Sequence, residues 1–314
     1  MKRLVAWLGV LVFALLLVGC GDDDEPKATT STTAATEDQI PTTSLTDLAV
    51  FVKTNPDTKL CVDSEGGFRE DVLPVIKDTY GLEFTNTQQL GYELIPPAVK
   101  DGQCDVGIVY STAGLITKND LKVLDDDKKA FGAYTPAPTI KTSNLSKYPT
   151  LQEDLQALTD ALETDAITEL NARVDVDKEA AETVAEDFLK ENGIIEDAPT
   201  GSGKGSIIVG SKLDTEAQLL GLMMIQTLEN KGYEVTNKTK TGNTDITRTA
   251  LLNGDIDIYW EFTSSGLNIV KQTPIGDPQA AYDKVKELDA ANGITWLASA
   301  DMNDTYALAV RSEG

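Results

Sequence analysis

ALLNGDIDIYWEFTSSG, residues 250–266, reads as a helix end, a glycine turn, a buried strand and an aromatic ring delivered at the strand's end. Gly254 stops the helix because glycine reaches positive φ without a Cβ clash. IDIYWEF alternates as a strand does and ends at Phe262, before small polar residues. A second copy lies upstream in AVKDGQCDVGIVYSTAG, residues 98–114. There Gly102 stops the helix, Asp105 opens the strand at the offset of Asp257, and Tyr110 closes it. Glycine and ring are eight residues apart in both copies. The pair predicts two α/β lobes facing one cleft. Helix–turn–strand units recur throughout α/β proteins, so the flanking chain decides.

Working outward, the same order surrounds each copy. KLCVDS (59–64) reads as a strand, and GGFREDVLPVIKDTYG (66–81) as a glycine-rich loop entering a helix that ends at Gly81. LEFTNTQQL is a strand and turn, and YELIPPAVKDG is a helix entered through a proline pair. SIIVGSK (206–212) is again a strand, and Asp214 caps a helix with Leu219, Leu220, Met223, Met224 and Leu228 inward. YEVTNKTK is the next strand and ITRTALLNG the next helix. Both runs are β-α-β-α-β, which implies parallel or mixed sheets covered by helices. GAYTPAPTIKT (132–142), with Pro136 and Pro138, is an extended crossing segment. Residues 147–195 are mainly helical, 196–205 form a Pro/Gly/Ser linker, and the chain closes on a strand.

The amino terminus is of another kind. Lys2 and Arg3 precede an apolar run from Leu4 to Val18, too short to span a bilayer comfortably, and LVGC ends it. Residues 1–20 read as a secretory signal whose ending resembles a bacterial lipobox, with Cys20 as the lipidated residue. A plain signal peptide or an uncleaved anchor are the alternatives. Residues 21–42, rich in Ser, Thr, Asp and Pro, read as a disordered tether. The expected organisation is therefore signal 1–20, tether 21–42, one lobe 43–128, and a second lobe combining 129–195 with 206–314. The expected location is the extracytoplasmic face of the cell membrane, held by the lipid anchor.

Composition removes several function classes. The chain has 27 basic and 51 acidic residues, a net charge of −24, and lacks the basic stripe that nucleic acid requires. It has no histidine, which excludes Ser-His-Asp and Cys-His mechanisms and removes the commonest metal ligand. GSGKGS (201–206) fails as a phosphate loop because Gly205, not Ser or Thr, follows Lys204. The DDD runs at 22–24 and 125–127 lack calcium-loop spacing. No enzyme activity and no cofactor are expected. Cys61 and Cys104 both start predicted strands in exported chain, and their pairing is left open.

What remains is aromatic. Tyr110 and Phe262 end the matching strands, Tyr134 lies on the crossing segment, and Tyr306 lies in the last strand. A quaternary ammonium ion cannot donate hydrogen bonds and is held by ring faces, each contributing roughly 0.5–2 kcal/mol. Arg69, in a glycine-rich turn before a helix, is placed to clamp a carboxylate in bidentate fashion.

Several motifs together resemble a known family. SIIVGSKLDTEAQLLGLMM, ALLNGDIDIYWEFTSSGL and DMNDTYALAVR resemble the amino-terminal part of the osmoprotectant (glycine betaine, carnitine, choline) substrate-binding proteins of ABC importers. LTDLA, GGFRED, VKDGQCDVGIVYST, LKVLDDDKKAFGAYTPAP and LNARVDVDKEAAETVAEDFLKENG resemble the carboxy-terminal part. The order is inverted, so the chain looks circularly permuted, with the usual termini joined through 196–205. The resemblance implies an α/β, two-lobe, type II periplasmic-binding-protein-like fold. It implies a small quaternary amine as ligand, betaine-type favoured, and an ABC permease as partner; a solute-sensing receptor of the same fold is the alternative. Tyr110, Tyr134 and Tyr306 fall on the family's cage tyrosines, and Phe262 falls where the family has tyrosine. Arg69 falls on the arginine that meets a betaine carboxylate, and Ala217 replaces a family glutamine.

Overall fold

The helix Thr244–Asn253 ends at Gly254, whose φ of 82° only glycine adopts freely, and Gly102 takes the same role at φ 73°. The two aspartates at matching offsets then do the same work. Asp257 donates its N–H to Ile208 O (2.8 Å), and its carboxylate accepts the Ile208 N–H (2.9 Å). Asp105 does so with both groups of Lys59, at 2.9 and 2.8 Å. Each carboxylate stitches its strand to the parallel neighbour, which accounts for the shared spacing.

The computed structural model describes residues 39–312. Residues 1–20 with Cys20, and most of the 21–42 segment, lie outside the described residues. The strands are β1 Lys59–Val62, β2 Asn86–Gln89, β3 Val106–Tyr110, β4 Leu121–Val123, β5 Pro136–Lys141, β6 Ser206–Gly210, β7 Glu234–Lys238, β8 Ile258–Phe262, β9 Ile294–Trp296 and β10 Tyr306–Arg311. They build two sheets, ordered β2-β1-β3-β10-β4 and β7-β6-β8-β5-β9. In each, three parallel strands are followed by an antiparallel strand from the other part of the chain and then by an edge strand. Even the register repeats: Tyr306 lies opposite Tyr110, and Pro136 opposite Phe262. The chain thus crosses between lobes twice, from β4 to β5 and from β9 to β10.

One boundary needs correction. Residues 206–314 were expected together in the second lobe, but β10 lies inside the first sheet, between β3 and β4. Tyr306 through Val310 are all buried, as suits a central strand covered on both faces, and its two edges pair with β3 and β4.

Cys61 of β1 and Cys104, just before β3, are joined in a disulfide with Cα atoms 5.9 Å apart. Residues 196–205 have no helix or strand, yet they are not a loose linker. Thr200 donates to Asn230 O (2.7 Å), Lys204 N–H to Gly232 O (3.1 Å), and the Lys204 ammonium pairs with Asp154 (2.5 Å). Among the described residues, no helix is long and apolar enough to cross a membrane.

Candidate ligand-binding cleft

The parallel strands of both sheets end at one cavity of about 500 Å³. The two crossings form its floor and run side by side: Tyr134 N–H donates to Asn303 Oδ1 (2.7 Å), Asp304 N–H to Tyr134 O (3.2 Å), and Thr305 Oγ1 to Gly132 O (3.2 Å). Tyr134 comes from the first crossing, Tyr306 from the end of the second, Tyr110 from β3 and Phe262 from β8. All four rings and Arg69 line the cavity. Because Tyr306 and Tyr110 are directly opposed in the ladder, their rings pack with centroids 4.9 Å apart and planes tilted by 44°, and Tyr134 meets Tyr306 edge-on at 5.4 Å. A fifth ring, Tyr92, lies 4.8 Å from Tyr110 and also faces the cavity. Sequence reasoning missed it. The signal was its place in the loop after β2, but the proline pair drew the reading to the helix start.

Two protein cations already sit over these rings. The Arg69 guanidinium is 5.7 Å from the centroids of both Tyr134 and Tyr306, and the Lys212 ammonium is 5.1 Å from that of Phe262. Arg69 is heavily committed. Nε and Nη2 grip Asp71 (2.8 and 2.5 Å), Nη1 reaches Glu65 (3.3 Å) and, across the cleft, Ser265 Oγ (3.0 Å), and Nη2 lies 3.5 Å from the Tyr134 hydroxyl. The guanidinium has five N–H donors, and these five acceptors occupy them. The bidentate fork expected for a ligand carboxylate is therefore spent on Asp71. The Tyr134 hydroxyl donates to the same Asp71 oxygen at 2.6 Å. Ala217 is buried beneath the cleft with its N–H capped by Asp214 (2.8 Å), and Gln218, one residue on, lines the cavity instead.

The lining carries six carboxylates (Asp63, Glu65, Glu93, Asp175, Asp214, Asp304) against four cations (Arg69, Lys178, Lys212, Lys240). Burial raises the pKa of Asp63, Asp175 and Asp214. Beside the cavity, the Thr112 hydroxyl contacts Glu216 (2.6 Å) and Asp304 (2.7 Å). One hydroxyl donates one proton, so a carboxyl must bring the other. Burial pushes Asp304 up to about 7, and burial with the neighbouring Asp304 charge pushes Glu216 well above the usual range.

Two lobes of one topology, linked by paired crossings around an aromatic and ionised cavity, make up a solute-binding protein of the two-lobe periplasmic type. The family model for the substrate-binding domain of the ABC-type glycine betaine transport system matches residues 23–191 and 205–313, and the chain belongs to that family. The family is one of binding proteins, not enzymes. The glycine betaine-binding protein YehZ of Escherichia coli is 40% identical over 109 residues, 33% of this chain and 36% of that protein. The carnitine transport binding protein OpuCC of Listeria monocytogenes is 32% identical over 136 residues, 43% of this chain and 44% of that protein. These matches span less than half the length of either relative. A crystal structure of a glycine betaine/carnitine/choline ABC transporter aligns at 29% identity over 48% of this chain and 54% of that one, with a TM-score of 0.36.

Proposed function

We propose that this protein captures a small quaternary ammonium solute, betaine-type favoured, between its lobes and delivers it to an ABC permease. The observation that carries this reading is the meeting of Tyr110, Tyr134, Phe262 and Tyr306, from four separate elements, at one cavity. Ring faces suit a cation that cannot donate hydrogen bonds. The surplus of carboxylates over cations in the lining favours a positive head group. The betaine preference draws on the family and on the names of the relatives, since the Arg69 fork is occupied. The lobes close about the two crossings, as hinged binding proteins do. Cys20 carries the lipid that holds the domain at the outer face of the membrane. Equilibrium dialysis of the protein against labelled glycine betaine and choline tests the capture step. One saturable site per chain is expected, and retention of neither ligand overturns the proposal.

A further inference from the structure

We propose that the Glu216–Asp304 carboxyl pair couples cation capture to proton release, so that the protein holds a cationic solute more tightly as pH rises through neutrality. This concerns the regulation of the cleft described above and rests on the reading that a quaternary ammonium head occupies it.

The pair adjoins the aromatic wall. A second, small cavity is lined by Tyr92 and Tyr110 together with Asp175, Asp214, Glu216 and Asp304. All of these except Glu216 also line the larger cleft. Neither Tyr92 nor Tyr110 has a protein cation over its ring among the described residues. A ligand cation on these two rings would therefore sit next to the pair.

The pair itself is buried and short of donors. The Thr112 hydroxyl contacts Glu216 at 2.6 Å and Asp304 at 2.7 Å, with one proton to give. Asn171 Nδ2 donates to Glu216 Oε2 (2.9 Å), while Glu216 Oε1 is buried with no partner. The charged neighbours are acidic too. Asp214 caps the helix Thr215–Asn230, Asp175 accepts from Thr215 (2.7 Å), and the charge of Glu93 bears on Asp175. Arg69, Lys178, Lys212 and Lys240 line the larger cleft but not the small cavity. Two like charges in such a place cannot both be sustained cheaply, so one carboxyl keeps a proton. Burial pushes Asp304 up to about 7, and the pair gives up this proton as a unit near neutral pH.

A ligand cation against Tyr92 and Tyr110 favours the doubly charged pair, because opposite charges attract strongly where water is excluded. Linkage requires the converse: loss of the proton strengthens cation binding by the same factor. Below the window the pair carries one charge and binding is weaker; above it the pair carries two and binding is tighter.

Choline is the main probe, because it carries a net positive charge and no group that titrates in this range. Calorimetric titration should show its affinity rising by about fivefold from pH 6 to pH 8. At pH 7, two buffers of different ionisation enthalpy should reveal a fraction of a proton released per choline bound. Glycine betaine carries the same head and should shift in the same direction. Glu216→Gln keeps the shape and an acceptor for Asn171 but cannot ionise, and Asp304→Asn removes the other partner. In each, the pH effect should shrink to less than about twofold and proton release should vanish. Asp175→Asn, outside the pair, should retain both. Affinities independent of pH in the wild type, or a pH effect that survives Glu216→Gln and Asp304→Asn, overturns the coupling while leaving the binding function standing. A wild-type protein that binds neither ligand at either pH removes the binding function itself.

Discussion

Tyr110 packs at a tilt against both Tyr92 and Tyr306, and no protein cation lies over its ring among the described residues. Of the four rings expected from the sequence, it is the one on which a ligand cation has no protein competitor. Tyr110→Ala should weaken binding of a quaternary amine by about tenfold, within the range that cation–ring contacts supply. Calorimetry checks this, and an unchanged affinity would make Tyr110 a packing residue. Tyr134 has a second duty, because its hydroxyl holds Asp71 and through it Arg69. Tyr134→Phe should lower stability by about 1–2 kcal/mol, read from chemical denaturation, while retaining most of the ring's contribution to binding. Tyr110 and Phe262 were legible in the sequence because a glycine stop and a strand of fixed length count out their positions. The duty of Arg69 was not. Asp71 is visible two residues on, but only the folded turn shows its carboxylate closing on the guanidinium. Lys212 was read merely as the end of a strand, because nothing local reveals a partner 49 residues later in Glu261.

At the scale of elements, Thr112 follows β3, Glu216 opens the helix Thr215–Asn230, and Asp304 sits in the second crossing. Their meeting joins both lobes and the hinge through a shared proton. A carboxyl whose folded pKa is raised binds protons better in the folded state. It contributes most to stability below its unfolded value near 3.8, loses that contribution as pH rises toward about 7, and is flat above. Asp304 and Glu216 titrate together, so this fall in stability belongs to the pair. Denaturation at pH 5 and pH 8 should show the wild type more stable at pH 5 than Asp304→Asn predicts, because the variant loses this titration. A pH dependence unchanged by Asp304→Asn would contradict the shared proton. The disulfide acts on one sheet. It closes a separation of 43 residues between neighbouring strands, and its reduction should cost about 4 kcal/mol by chain entropy. Comparing denaturation midpoints with and without reductant measures this. Both cysteines were plainly at strand starts, but only the pairing of β1 with β3 brings their Cα atoms within bridging distance.

For the whole molecule, two β-α-β-α-β runs were readable because their punctuation is local. The membership of β10 in the first sheet was not, since a short alternating strand does not name its partners. We propose that the chain is a circular permutant of the family order. The family model matches in two blocks separated by residues 192–204, which include most of the 196–205 segment, and the relatives align over only 109 and 136 residues. The ends of the described chain both lie on β4 and the residues flanking it: Asp125 N–H donates to Thr43 O, and Arg311 pairs with Leu121. A chain opened within 196–205 and closed from 312 to 43 by about six residues should fold to the same structure with the same ligand affinity. Failure of that chain to fold would count against the permutation.

The central claim is that ring faces recognise a quaternary ammonium head. Calorimetric titration with glycine and its mono-, di- and trimethylated derivatives tests it most directly, since the carboxylate stays constant while N–H donors are replaced by methyls. The account predicts affinity rising with each methyl to a maximum at glycine betaine, below about 1 mM. Equal affinity across the series, or tightest binding of unmethylated glycine, would contradict it.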